Sequence, residues 1–183
     1  MKDRASKRDT RHVALLRGIN VGGKNMLPMK MLAEMFAAAG CTDVATYIQS
    51  GNVVFCAGDK IANGLGGAIT KQVEKQFGLK VPVVIRSAAE LDAVIRGNPL
   101  GAAEEMLHVL FLADRPGPDL VAGLDPARSA PDEYLVVGRD IYAKLVTGAA
   151  KTKLTNAYFD SKLKTVSTMR NWRTVLKLAE MMA

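Results

Sequence analysis

Apolar positions along the chain follow two rhythms, consecutive or alternating runs and helical repeats. Val13 to Leu16 is continuously apolar, which predicts a strand covered on both faces. Leu32, Met35, Phe36 and Ala39 then recur at helical spacing between Pro28 and Ala39, and Gly40 follows as a left-handed stop. Val44 to Gln49 and Asn52 to Ala57 read as a strand pair around a tight Ser50-Gly51 turn. Ile61 to Phe77 is a second helix with Leu65, Ile69, Val73 and Phe77 inward. Its glycines at 64, 66 and 67 cost about 1 kcal/mol each against alanine, so the helix is expected to start late or fray. A strand over Val81 to Arg86 completes a β-α-β-β-α-β order, the ferredoxin-like plan. Ala88 to Arg96 adds a short helix, closed by Gly97-Asn98-Pro99.

The second half begins the same way. His108 to Ala113 reads as a strand, Asp119 to Leu124 as a short helix, and Tyr134 to Val137 with Ile141 to Val146 as a hairpin. Lys153 to Leu163 is helical. No clear last strand follows, and a final helix is expected from about Met169 to Met182, with Thr168 as its N-cap. Trp172, Val175, Leu176 and Ala179 form its apolar stripe. The predicted fold is therefore α+β: two ferredoxin-like halves, residues 12–99 and 100–183, with a C-terminal helix. A basic leader, residues 1–11, precedes them and is expected to be flexible. The halves share no evident residue repeat, so the duplication rests on element order alone.

Composition narrows the function classes. The chain has 183 residues, of which 49% are apolar and 23% charged, as in an ordinary globular protein. Lys and Arg number 25 against 18 Asp and Glu, a balance that favours anionic partners. No apolar run reaches the length of a membrane span, and the leader lacks the apolar core of a signal peptide, so a cytoplasmic location is expected. Cys41 and Cys56 are the two cysteines, too few for a disulfide framework or a metal cluster. Neither H-x-x-x-H nor C-x-x-C occurs, and no cofactor is implied.

Candidate chemistry concentrates at turns. Leu16-Arg17-Gly18-Ile19-Asn20-Val21-Gly22-Gly23-Lys24-Asn25 joins the first strand to the first helix and combines glycines with Arg17, Asn20, Lys24 and Asn25. Glycine lets backbone N–H groups converge, and helix N-termini attract negative charge. Gly18, Gly23 and Lys24 approach the G-x-x-x-x-G-K loop of nucleoside triphosphatases. However, Asn25 stands where a Ser or Thr must hold magnesium, and Pro28 starts the helix too late.

Gln49, Ser50 and Asn52 surround the hairpin turn and present amide and hydroxyl groups, although Ser and Asn also serve turn geometry. Arg170 and Arg173 fall in the expected first turn of the last helix, with Asn171 between them. Cations there cost about 0.3–1 kcal/mol each unless an anion or an acid offsets them. Lys144, Lys151, Lys153, Lys162, Lys164, Arg170, Arg173 and Lys177 accompany a single acid, Asp160, over that span. They form either a surface for a polyanion or a solvated basic face. His12 and His108 belong to no motif, and Glu104-Glu105 reads as solvent-facing. An RNA-recognition sheet needs exposed aromatics on its central strands; here only Phe55 qualifies, so nucleic acid would have to be held through lysines alone.

Together these residues predict a basic, glycine-rich site for a small anionic or phosphate-bearing ligand: Arg17, Asn20, Lys24, Asn25, Gln49, Ser50, Asn52, Arg170 and Asn171. The alternatives are a nucleic-acid-binding module using the basic second half and a non-catalytic interaction domain pairing through a sheet edge. The residues identify no reaction and leave open whether the protein is an enzyme.

The runs at 16–25, Tyr47-Ile48-Gln49-Ser50-Gly51-Asn52-Val53-Val54-Phe55, Asn98-Pro99, and Thr168-Met169-Arg170-Asn171-Trp172 with Thr174-Val175 and Lys177-Leu178 resemble the bacterial DUF1697 family. Met169 departs from the small polar residue more usual there. The resemblance implies an α+β fold with ferredoxin-like elements and carries no established activity, cofactor or catalytic residue.

Overall fold

The computed structural model describes residues 10–183. The expected leader lies outside the described residues up to position 9; Thr10 and Arg11 already belong to the first strand. The first half runs β1 Thr10–Leu16, α1 Met29–Ala38, β2 Thr42–Tyr47, β3 Asn52–Ala57, α2 Asp59–Phe77, β4 Val83–Ser87 and α3 Ala88–Arg96. The second runs β5 Leu107–Leu112, α4 Pro118–Ala122, β6 Glu133–Val137, β7 Asp140–Lys144, α5 Asn156–Leu163, β8 Ser167–Asn171 and α6 Trp172–Met182. Two four-stranded sheets result, in the orders β2-β3-β1-β4 and β6-β7-β5-β8, with antiparallel neighbours throughout. Each half therefore has the ferredoxin-like order. No helix among the described residues is long and apolar enough to cross a membrane.

Strand alternation assigns each face. Ala14 and Leu16 of β1 pack with α1 and α2, whereas Val13 and Leu15 enter a central core. Leu110 and Leu112 of β5 face α5, while Val109 and Phe111 enter the same central core. Leu91 and Val94 of α3 join it with Trp172, Val175 and Leu178 of α6. Both central strands are thus covered on two sides, which explains their continuous apolar runs. Because the core between the halves draws on both, the C-terminal helix packs against both sheets.

Three sequence expectations change. First, the second half has its last strand. Ser167–Asn171 is β8, so Thr168 is no N-cap and Arg170 lies on a strand rather than in a helix's first turn. The N-cap is Asn171, whose Oδ1 accepts from the Thr174 amide at 2.8 Å. Periodicity could not find β8 because it buries polar side chains: Ser167, Thr168 and Arg170. Second, α2 starts at Asp59 and continues through its glycines. Burial of Ala62, Leu65, Ile69 and Val73 along one face outweighs their propensity cost.

Third, a residue repeat exists. His12-Val13 with Leu16 in β1 corresponds to His108-Val109 with Leu112 in β5. Their imidazoles make the same contact, Nδ1 donating to the carbonyl two residues earlier: Thr10 O at 2.8 Å and Met106 O at 3.3 Å. Backbone closures repeat as well. The Leu16 amide donates to Gly51 O and the Leu112 amide to Arg139 O; the Arg17 amide donates to Pro82 O and the Ala113 amide to Val166 O.

Each half contributes one buried arginine to the other. Arg86 of β4 donates to Leu112 O (2.8 Å), Arg139 O (2.9 Å) and Asp140 Oδ1 (2.9 Å). Arg170 of β8 makes the matching set, to Leu16 O (2.7 Å), Gly51 O (3.3 Å) and Asn52 Oδ1 (2.6 Å). Leu16 and Leu112 end equivalent strands, and Asn52 and Asp140 begin equivalent ones. Since Asn52 shows that an amide can serve at this position, D140N is expected to cost less than D140A. D140A removes the acceptor from an arginine that is 1% exposed, which should cost about 3–5 kcal/mol in urea unfolding. Equal losses for the two variants would contradict the equivalence.

Candidate functional site

A hollow of about 480 Å³ opens where the loop after β1, the β2–β3 turn and the β8–α6 junction meet. Arg17, Ser50, Arg170 and Asn171 all line it, with Gly18, Ile19, Val21, Asn156 and Thr174. The fold produces this meeting directly, since Arg170 reaches across to the end of β1 and to the hairpin turn.

Arg170 is 9% exposed, and its donors serve the protein. Beyond the three contacts above, Nη1 donates to Thr168 Oγ1 and Met169 O, both at 2.8 Å, and Nη2 to Ser50 O at 3.1 Å. No carboxylate pairs with it among the described residues. Burial pushes its pKa down to about 10, which still leaves it charged at neutral pH. Arg86 differs here, because Asp140 supplies a carboxylate where Arg170 has the amide of Asn52.

Arg17 is half-buried and forms a 2.5 Å ion pair with Asp160 Oδ2, and it donates to Ser167 O at 2.9 Å. Asp160 Oδ1 also accepts from Ser167 Oγ at 2.6 Å. Counting Arg17, Asp160 and Arg170, the hollow has one unbalanced positive charge.

The other predicted residues divide. Asn20, at φ 53°, ties the loop together: Nδ2 donates to the carbonyls of Leu27 and Gln49, and Oδ1 accepts from the Leu27 amide. Asn25, at φ 52°, donates to Gly18 O at 2.7 Å and lines a neighbouring groove with Lys80 and Pro82. Lys24 is exposed in a turn, its amide bonded to Val21 O, several residues before α1 begins. That is not the geometry of a nucleotide-binding loop, whose lysine opens the helix. Gln49 is exposed and offers its backbone carbonyl to Asn20. Asn52 is wholly buried, donating to Tyr47 O and Ser50 Oγ while accepting from Arg170. It shapes the turn and has no surface to present.

Sequence reasoning missed Asn156 and Thr174. Asn156 opens α5 and accepts from Ser167 Oγ at 3.0 Å. Asn156 belongs to no motif and Thr174 enters only within the family run, and only the approach of β8 to the β1 loop makes them neighbours. The basic second half is less uniform than its composition: Lys144 pairs with Glu133 and Lys177 with Glu180, while Lys151, Lys153, Lys162 and Lys164 face solvent. No group of three or more His, Cys, Asp or Glu side chains among the described residues is placed to hold a metal ion.

Comparisons with known proteins agree with this architecture. The family model described as "Protein of unknown function (DUF1697)" matches residues 10–142. Among solved structures, conserved bacterial protein SP0830 from Streptococcus pneumoniae is similar at 25% identity and a TM-score of 0.68, over 96% of this chain and 99% of that one. No curated protein matches the chain.

Proposed function

The chain belongs to the DUF1697 family of proteins of unknown function, and we propose from its own geometry that it binds a small anionic ligand, bearing a phosphate or carboxylate, in the hollow beside Arg170. One observation carries the reading. Arg170 and Arg86 occupy equivalent positions, yet only Arg86 has a carboxylate to neutralise it. A buried charge with no counter-charge is costly, and the surrounding protein focuses its field into the adjoining hollow. An anion there offsets that field. Asn171, Ser50, Asn156 and Thr174 supply polar groups around it. Arg170 acts through its charge, because its N–H groups are already committed.

The reading is one of binding rather than turnover. Asp160 is held by Arg17 and Ser167, and no histidine or cysteine lines the hollow among the described residues.

Thermal unfolding with inorganic phosphate, citrate and sugar phosphates tests the proposal, against sodium chloride at matched ionic strength to remove screening effects. A ligand at about a hundred times its Kd stabilises by about 2.7 kcal/mol. The N171D variant sharpens the test. Aspartate caps a helix as well as asparagine, and its charge suits the N-terminus of α6, so folding stability should hold or rise. The added carboxylate should at the same time abolish the anion-dependent shift. An unchanged melting point with every anion, or full anion response in N171D, would refute the reading.

A further inference from the structure

The symmetry that pairs Arg86 with Arg170 also pairs the hollow with a second cavity. This one encloses about 340 Å³ between α2, the edge of β4 and the β6–β7 turn. Ser87, Glu90 and Ala113 line it where Asn171, Thr174 and Arg17 line the first. Its chemistry differs: the carboxylate of Glu90 pairs with Arg139, so the charges balance.

Two observations mark this cavity as built to receive something. His12 lines it and is 6% exposed. Its Nδ1 lies 2.8 Å from Thr10 O, and a carbonyl only accepts, so Nδ1 carries a proton; when the ring holds that one proton, Nε2 presents a lone pair. Among the described residues the sole partner for that lone pair is Thr10 Oγ1, at 3.5 Å, beyond ordinary hydrogen-bond length. A stronger donor placed in the cavity would compete with that long contact.

The second observation concerns helix α2. A Cβ at Gly66 would lie 3.1 Å from Val83 O, so packing explains that glycine. Gly67 has no neighbour within 4 Å and lines the cavity. A side chain at this exposed position would project into the cavity's open space.

We propose that this cavity is a second ligand site, for a small zwitterion of the amino-acid type. Its ammonium donates to His12 Nε2 and to the Glu90 carboxylate. Its carboxylate accepts from the guanidinium of Arg139, which has N–H groups beyond those given to Glu90 and Ala113 O. Ala62, Val83 and Ile85 leave room for a short apolar side chain. The proposal does not depend on anion binding in the first hollow.

Nitrogen-resolved NMR of the imidazoles of the full chain tests it, since His12 and His108 are the two histidines and H108N assigns them. Alanine or valine at millimolar concentration should move the His12 Nε2 signal and leave His108 in place. Ethylamine and propionate, each carrying one half of alanine's charge, should not move it at the same concentration. G67A should raise the melting temperature yet weaken the response about tenfold or more, as a methyl group intrudes on the ligand. G64A, at a glycine that neither lines the cavity nor meets a neighbour, should raise the melting temperature with affinity unchanged. A His12 signal that no amino acid moves, an equal response to ethylamine or propionate, or G67A binding as the wild type would each overturn the proposal.

Discussion

Replacing Arg170 by alanine is expected to lower the unfolding free energy by about 3–5 kcal/mol, because it strips donors from acceptors that water cannot reach. Leu16 O and Asn52 Oδ1 receive its two shortest bonds, at 2.7 and 2.6 Å. Leaving each unmet costs about 1–3 kcal/mol, and the lost packing between halves adds to this. Release of the buried charge offsets part of the loss, which sets the upper end. R170K separates the causes. Lysine keeps the charge, but three donors on one nitrogen cannot copy a planar fork that reaches both an amide on β3 and a carbonyl on β1. It should recover less than half of the loss. Urea midpoints at constant slope give the values. A loss below about 1 kcal/mol for R170A, no more than an ordinary hydrogen bond, would show that the arginine does not join the halves as described.

A comparable effect is expected at Gly51. This residue sits at φ +79°, and a Cβ there would lie 2.7 Å from Leu16 Cβ and 3.0 Å from Ile19 Cδ1. The left-handed backbone costs a non-glycine residue about 1–2 kcal/mol. Overpacking against a fully buried leucine and isoleucine adds about 1–3 kcal/mol. G51A should therefore lose about 2–5 kcal/mol in total. Gly138, in the other hairpin, provides the control: its φ is +63°, with nothing within 4 Å of the added carbon. G138A should show the conformational cost alone. Thermal unfolding followed by circular dichroism compares them, and equal losses would mean that the contact with Leu16 has been misjudged. Because Gly51 O also accepts from Arg170, G51A should in addition disturb the hollow and reduce any anion response more than G138A does.

The candidate site was only partly legible in the chain. Arg17, Ser50, Arg170 and Asn171 carried a signal because each stands at a turn or element end, and the folded chain gathers these four around one hollow. Asn20 and Asn25 carried the same signal for another reason. Short amides tolerate positive φ and bond nearby backbone, and both are used that way. From composition a ligand-facing asparagine and a turn-forming one look alike; the difference is which atoms lie opposite, and those come from elsewhere in the chain. Arg170 is the sharpest case. Read as a cation misplaced on a helix, it is a strand residue whose partners in the other half lie 118 to 154 residues away.

Local chemistry alone settles the two-part α+β plan, the type of each described strand and helix except β8, the hairpin turns and many of the apolar core positions, although α6 buries Leu178 and Met182 more fully than the expected Leu176 and Ala179. Each follows from a period of two or of 3.6 and from residues acting on their own neighbourhood. The course of β8, the arginines exchanged between halves, the unequal neutralisation of those arginines and the two cavities depend instead on long-range pairing. A polar strand is stable only when distant groups satisfy it, and a cavity is bounded by elements that meet only after the chain has closed on itself.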